Sequence, residues 1–282
     1  MDRWLLAAPL SRLQSGQAAR AVVAHPAATD RAATIMAMTF EDTLARLAAQ
    51  PDPLPDTDRR ALFVMLDAEE AQAVRVRATP LSDADAILAL AQRAYGDLRG
   101  LVIGLPDDLL DRAPREGEWP LRETLRHMIS GELGYHAAAL YATARRDDEP
   151  VAFPQDRRPS PDAGRIAKGS ADDLLAYLSE VRARSDHDLA GLDAEALRRP
   201  AVYGSREIDV RYRLYRFGAH VIEHSIQCET TLDALGFRAG DARRTVRRIS
   251  AARGAHEHLS TPDALAKLDA EHATKAVAPS GR

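Results

Sequence analysis

The chain has 282 residues, of which 45% are hydrophobic and 28% are charged, and its net charge is −4. This composition is ordinary for a globular protein with a core, and an acidic balance with 5% aromatic residues does not favour nucleic acid as a partner. The single cysteine, Cys228, excludes an internal disulfide and suits a reducing compartment, so we expect a cytoplasmic location. No run of 18 apolar residues occurs, so we expect no membrane-spanning helix.

Two regions precede the main domain. Residues 1–37 contain a short apolar patch but no small-residue cleavage pattern, so we interpret them as a poorly ordered extension rather than a signal peptide. Helical periodicity begins at Thr39, where residues 39–49 and 57–77 predict two helices separated by a proline-rich break. We therefore assign residues 38–80 to a helical extension.

Four longer helices follow and predict a bundle. Ser82 with Asp85, and Ser170 with Asp173, fit the N-terminal capping pattern of an acceptor side chain followed three residues later by an acid. The predicted helices run from Ser82 to before Gly104, over about 120–144, from Ser170 to about 190, and from Val210 to Gly236, with a long loop at 145–169. Strand signals are almost absent, so we expect an all-α fold, a four-helix bundle whose sites lie between facing helices.

The C-terminal part predicts one more helix, at 241–258, which is rich in arginine. We interpret it as an appended helix with a solvated basic face, and we place the bundle domain at 81–259 and a flexible tail at 260–282. Four histidines in tails or on this basic face are predicted to be exposed: His25, His256, His258 and His272.

Three other histidines are candidates for a functional site. His220 and His224 are four residues apart, so their imidazoles project from the same face of one long helix. On the second bundle helix, His127 shares a face with Gly131 and Gly134, which leave room beside the imidazole. Three neutral imidazoles from two facing helices make a metal site with open positions. The residues alone leave open that each histidine is a hydrogen-bonded core side chain, or that the spacing is chance.

Two segments resemble a known family. GEWPLRETLRHMISGE, at 117–132, looks like the start of the second helix in the DinB/YfiT-like superfamily, where a tryptophan loop precedes the first ligand histidine. RFGAHVIEHSIQCETTLDALG, at 216–236, resembles the last bundle helix of that superfamily with its paired H-x-x-x-H. The likeness covers about residues 82–236 and implies an up-up-down-down bundle.

The resemblance also implies a site and a range of functions. It implies a metal triad of His127, His220 and His224 that binds a divalent ion such as zinc, nickel or iron. Some members use a low-molecular-weight thiol, so we expect a metal-dependent thiol S-transferase or a related enzyme that acts on a small-molecule substrate. The alternative is a non-catalytic metal-binding or stress-related bundle protein, and a homodimer is a further option.

Two more side chains are candidate substrate contacts. Arg213 and Gln227 lie about two turns to either side of His220, on the same helix face. For Arg213 the alternative is a rim arginine whose stem covers apolar surface. Cys228 lies deeper in the apolar stripe, and we predict a buried structural thiol there.

The long helix also matches another motif. His220-Val-Ile-Glu223-His224 fits H-x-x-E-H, the motif of inverted zinc hydrolases with Glu223 as the general base. That class needs a mixed α/β domain, and the helical wheel points Glu223 towards solvent. We therefore keep this interpretation as the least favoured of the three.

Overall fold

The computed structural model describes residues 39–277, and the predicted N-terminal extension at 1–37 lies outside the described residues. The described residues form ten α-helices and one β-hairpin. The elements are α1 (Phe40–Ala48), α2 (Asp56–Arg77), α3 (Asp83–Val102), α4 (Leu121–Ala144), α5 (Ala163–Lys168), α6 (Ala171–Leu189), α7 (Ala194–Leu197), β1 (Pro200–Tyr203), β2 (Arg206–Asp209), α8 (Val210–Ala234), α9 (Asp241–Gly254) and α10 (Pro262–Val277).

The bundle consists of α3, α4, α6 and α8, and both α3 and α4 pack against α6 and α8. The helices α3 and α6 are antiparallel, because the end of each meets the beginning of the other. The amide of Gly104, after α3, donates to Asp172 in the first turn of α6 over 3.0 Å. The amide of Gly191, after α6, donates to Asp85 in the first turn of α3 over 3.1 Å.

The other helix pairs fix the remaining directions. Arg122 in the first turn of α4 donates to the carbonyl of Gly169, just before α6, over 2.7 Å, so α4 and α6 are parallel. Arg211 at the start of α8 pairs with Asp83 at the start of α3, so these helices are also parallel. The predicted all-α four-helix bundle is confirmed. The directions are up, up, down, down around the bundle, whereas along the chain they are up, down, down, up.

The helix starts agree with the capping patterns of the sequence. The Ser82 hydroxyl accepts from the amide of Asp85 over 3.0 Å, and the Ser170 hydroxyl accepts from Asp173 over 3.1 Å. Both caps satisfy amides that the first helical turn leaves without partners. Leucines such as Leu98 in α3 are fully buried in the core between the helices. Within residues 39–277, no helix has both the length and the apolar character that a membrane crossing requires.

The arginine-rich helix α9 is buried along one side, so the prediction of a solvated basic face holds for Arg244 and Arg248, which are exposed, and is wrong for Arg243 and Arg253. It packs against α3 and α2. The approach to α3 is close because Gly96 faces the backbone of Ser250, where a Cβ would overlap the carbonyl oxygen. Arg243 and Arg253 of α9 are 6% and 4% exposed. Their charges are satisfied internally, since Arg243 donates to the carbonyl of Ile103 over 2.8 Å.

The predicted flexible tail at 260–282 is also corrected, because α10 occupies most of it and packs on α1 and α2. His272 of α10 and His256 after α9 are fully buried, contrary to the prediction of exposed side chains. Each ring places its Nε2 2.6 Å from a different oxygen of Glu69 in α2. Arg253 pairs with the same carboxylate at 3.2 Å. This buried cluster joins α2 to side chains of the α9–α10 region that lie 184 to 203 residues later in the chain.

A small hairpin and two short helices were not predicted. Strands β1 and β2 pair antiparallel, with Ala201 opposite Ile208. The turn between them contains Gly204 at φ 61°, a conformation that glycine adopts without strain. The hairpin leads directly into α8 and brings Tyr203 against Tyr135 of α4.

Candidate metal centre

The three histidines meet in the groove between α4 and α8. His127 comes from α4, and His220 and His224 come from adjacent turns of α8. The Nε2 atoms of His127 and His220 are 3.2 Å apart, and the ring centroids of the three pairs are separated by 4.5–5.1 Å. One nitrogen from each ring lies within 4.8 Å of the other two. The structure therefore brings together the three side chains that the sequence singled out.

The packing of α4 explains how the rings fit. Gly131 is one turn after His127 and faces His220 of the antiparallel helix. A Cβ at Gly131 would lie 3.0 Å from Nδ1 and 3.2 Å from Nε2 of His220, and closer still to Cε1. Only glycine leaves this space, so the residue at 131 fixes how deeply the His220 ring enters the groove.

The surroundings favour neutral imidazoles. His220 is 7% exposed, and burial is the main reason why its pKa falls to about 3, with the nearby charges of His224 and His127 acting in the same direction. Burial likewise lowers the pKa of His127, helped by His224 and Arg126. A metal ligand must be neutral imidazole, and both rings meet this condition at neutral pH.

Neighbouring side chains hold the rings in place. Nδ1 of His224 lies 2.8 Å from Oε1 of Gln227, so this nitrogen donates its proton and Nε2 keeps the free lone pair. Such an outer hydrogen bond fixes the tautomer of a ligand histidine. Trp119 packs on His127 with ring centroids 5.3 Å apart, and Tyr135 packs on His220 at 5.3 Å.

The donor set fits a divalent metal ion. Metal–nitrogen bonds of about 2.0–2.1 Å place the nitrogen atoms of one coordination sphere roughly 3.3 Å apart. The 3.2 Å between Nε2 of His127 and Nε2 of His220 matches that spacing. Three protein ligands leave a further position for water or substrate, as in catalytic rather than structural sites.

An open cleft of about 520 Å³ borders this centre. Trp119 from the loop before α4 forms one wall, and His224, Gln227 and Thr231 from α8 form the other. A volume of this size falls in the range of small-molecule sites. Of the two predicted substrate contacts, Gln227 therefore lies beside both the cleft and a candidate ligand.

Arg213 occupies a different place. It is 5% exposed, so the rim position is wrong, and its guanidinium donates to the carbonyl of Val202 in the hairpin. The charge lies near the rings of both Tyr135 and Tyr203, at 5.3 and 5.1 Å from their centroids. Its role as a substrate contact stays a prediction. Cys228 is buried and its pKa is raised to about 12 by burial, which confirms the structural thiol.

Glu223 is unsuited to act as a general base for the H-x-x-E-H motif. Its carboxylate oxygens each lie 3.0 Å from the guanidinium of Arg216, and this hydrogen bonding lowers its pKa. Its side chain is 56% exposed, as the helical wheel indicated. The all-α fold also lacks the mixed domain that inverted zinc hydrolases need.

One contact of the site was missed in the sequence. Tyr135 lies eight residues after His127 and covers the inner side of His220. The spacing of four between His127, Gly131 and Tyr135 places all three on one face of α4, and this periodicity was the available signal.

The fold and the site define an all-α bundle with a three-histidine centre between two antiparallel helices. The family model described as the DinB superfamily matches residues 90–228, which run from within α3 to within α8. This confirms the resemblance.

Comparison with solved structures finds YfiT from Bacillus subtilis, described as a probable metal-dependent hydrolase with an unusual four-helix bundle topology. That match has 17% sequence identity and a TM-score of 0.46, and it covers 55% of this chain and 89% of YfiT. No curated protein matches the chain significantly.

Proposed function

We propose that this protein binds a divalent metal ion through His127, His220 and His224 and acts on a small-molecule substrate. The observation that carries the proposal is the convergence of three imidazole nitrogens within 4.8 Å of one another, with one of the three rings, His224, lining an open cleft. Zinc, nickel and iron all suit imidazole ligands, so the donor set supports this group of metals without selecting one.

The reaction that we favour is a thiol S-transfer or a related conversion with a low-molecular-weight thiol. A bound metal ion supplies a Lewis acid that lowers the pKa of a thiol or water coordinated to it. The protein's own part is to keep His220 neutral, to orient His224 through Gln227, and to receive the substrate beside Trp119. A cytoplasmic location, where such thiols are reduced, belongs to the same proposal.

A non-catalytic metal-binding protein is the second candidate. The hydrogen bond between His224 and Gln227 and the packing of Trp119 against His127 would serve a metal store equally well. The open cleft favours the enzyme, because a purely structural centre is normally closed by a fourth protein ligand.

Metal analysis after expression in metal-replete medium tests the binding. We expect about one equivalent of metal in the native protein and a loss of most of it in His220→Ala. His136→Ala is a matched control, because His136 lies on α4 but points away and bonds to Asp188 over 2.9 Å. A native protein without stoichiometric metal, or a His220→Ala variant that keeps it, would contradict the proposal.

Activity assays then separate the enzyme from the metal store. The metal-loaded protein is incubated with several bacterial thiols and a panel of electrophiles, and conjugate formation is followed. If the protein is an enzyme, we expect turnover that is lost in His220→Ala and kept in His136→Ala. Metal binding without turnover on any pair of thiol and electrophile would favour the non-catalytic metal-binding protein.

A further inference from the structure

The outer face of α8 carries an apolar stripe that no described helix covers. Tyr215, Ile222 and Ile226 are 49%, 53% and 58% exposed, and Ala219 lies between them. The steps of four, three and four residues are those of a helix seam that packs against another helix. A solvated helix face normally carries polar side chains, so this stripe indicates a docking surface.

The apolar face continues onto the neighbouring helices. A groove of about 500 Å³ beside Tyr215 and Ile222 is lined by Leu90 of α3, which is 56% exposed. A second groove, of about 780 Å³, lies beside Ile226 and is lined by Phe63 of α2, which is 49% exposed. Since Arg248 lines both grooves, they form one continuous surface with Leu90 at one end and Phe63 at the other.

The stripe is self-complementary in its apolar residues. If a second α8 lies antiparallel on the first, a two-fold axis relates the two helices, and each residue meets its counterpart at an equal distance beyond the axis. With the axis near His220 along the helix, Tyr215 meets Ile226 of the second copy and Ala219 meets Ile222. Leu90 lies beside Tyr215, and Phe63 lies beside Ile226. The same rotation therefore brings Leu90 of one copy towards Phe63 of the second copy.

The charges at the two edges of the stripe follow the same symmetry. One edge carries Arg216 and Glu223, and the other carries Arg211 and Glu229. The midpoint of each pair falls within one residue of His220, so the same axis places each arginine opposite a glutamate of the second copy on both edges. A random surface has no reason to place two opposite-charge pairs about one point.

These groups already have partners within the chain. Arg216 pairs with Glu223, and Glu229 pairs with Arg247. The side chain of Glu229 is 42% exposed, so its carboxylate has room for a second cation. Intermolecular pairs would therefore extend the existing ones rather than require buried charges to separate.

We propose that this face binds a second copy of the chain, with α8 antiparallel to α8 about a two-fold axis near His220. The interface consists of the stripe, the two grooves and the charged edges. Because Arg216 and Glu223 lie on the edge nearer the histidines, the second copy borders the candidate metal centre.

Disulfide cross-linking tests the geometry. A cysteine replacing Ala219 lies within about 2 Å of the axis along the helix, so two copies can reach the Cβ separation of a disulfide. Cys228 is buried and does not compete. We expect Ala219→Cys to form a covalent dimer on mild oxidation and Val74→Cys to remain monomeric on a non-reducing gel, since Val74 is 71% exposed but lines neither groove.

Analytical ultracentrifugation of variants, including a pair with exchanged charges, tests the stability of the dimer. Ile222→Asp places two charges in the seam and should raise the dimer dissociation constant by about 100-fold or more. Arg211→Glu and Glu229→Arg should each weaken the dimer, and the double variant should restore it. Residues 211 and 229 are about 27 Å apart along α8, so a rescue can arise only between copies.

Several results would overturn the proposal. Circular dichroism checks that Ile222→Asp remains folded. If the folded native protein sediments as a monomer at about 100 μM, a concentration at which even a weak dimer would form, the stripe has another occupant or none. A dimer that survives Ile222→Asp uses another face, and a double charge variant without rescue rejects the antiparallel register.

Discussion

The space at Gly131 gives the sharpest test of how the fold builds the site. In Gly131→Ala the new Cβ lies 3.0 Å from Nδ1 of His220 and closer still to Cε1. The ring must withdraw by about 1 Å to regain ordinary van der Waals contact. All three histidines remain in the sequence, so any loss of metal binding comes from position alone.

The expected magnitudes follow from the packing. Overfilling a tight site costs about 1–3 kcal/mol, which offsets the gain of about 1 kcal/mol that alanine brings to a helix interior. Displacing a ligand through its surroundings lowers metal affinity about 10- to 100-fold. We therefore expect Gly131→Ala to be no more stable than the native protein and to bind metal at least tenfold more weakly.

Gly134→Ala is the matched control on the same helix. Its Cβ would lie 3.2 Å from Nε of Arg158, an exposed side chain that can move aside. This variant should keep the native metal affinity and gain stability of up to about 1 kcal/mol. Competition against a chromophoric chelator measures affinity, and urea unfolding measures stability. Equal metal affinities for Gly131→Ala and Gly134→Ala would refute the role of the space at 131.

Three further predictions concern other parts of the structure. Gln227→Leu removes the acceptor for Nδ1 of His224 and should weaken metal binding about 10-fold or more in the same competition assay, with unchanged helicity. Burial alone raises the pKa of Glu69, but hydrogen bonds from His256 and His272 and the charge of Arg253 lower it to about 2 from 4.5. The stabilisation, about 3 kcal/mol by linkage, is complete above pH 4.5 and is lost as the pH falls towards 2. Urea unfolding should show Glu69→Gln to be less stable at neutral pH, with the difference shrinking across that window; a constant difference would contradict the cause. Cys228 should resist alkylation at pH 8 until the chain unfolds, because burial raises its pKa to about 12; rapid labelling of the native protein would contradict this.

Local patterns predicted the bundle helices well. The caps at Ser82 and Ser170 and the three-four spacing of apolar residues placed each bundle helix to within a few residues, because both signals act within a few turns of the chain. The H-x-x-x-H spacing likewise placed His220 and His224 on one face without any knowledge of the partner helix.

The arginine-rich helix shows why other predictions were wrong. Arg243 and Arg253 were expected in solvent because an unpaired buried charge is costly. Their partners, a carbonyl at Ile103 and the carboxylate of Glu69, are more than 100 residues away in the chain, and no local pattern indicates such a contact. The same holds for His256 and His272, whose burial depends on Glu69.

The sequence by itself determined the helices, their apolar faces and the side of each helix on which the three histidines lie. The tertiary structure decided that α4 and α8 run antiparallel, as close together as Gly131 allows. This brings Nε2 of His127 to 3.2 Å from Nε2 of His220. It also decided which charges are buried. The physical reason is that periodicity and capping are properties of neighbouring residues, whereas the closeness of two helices and the neutralisation of a buried charge depend on partners that only the folded chain supplies.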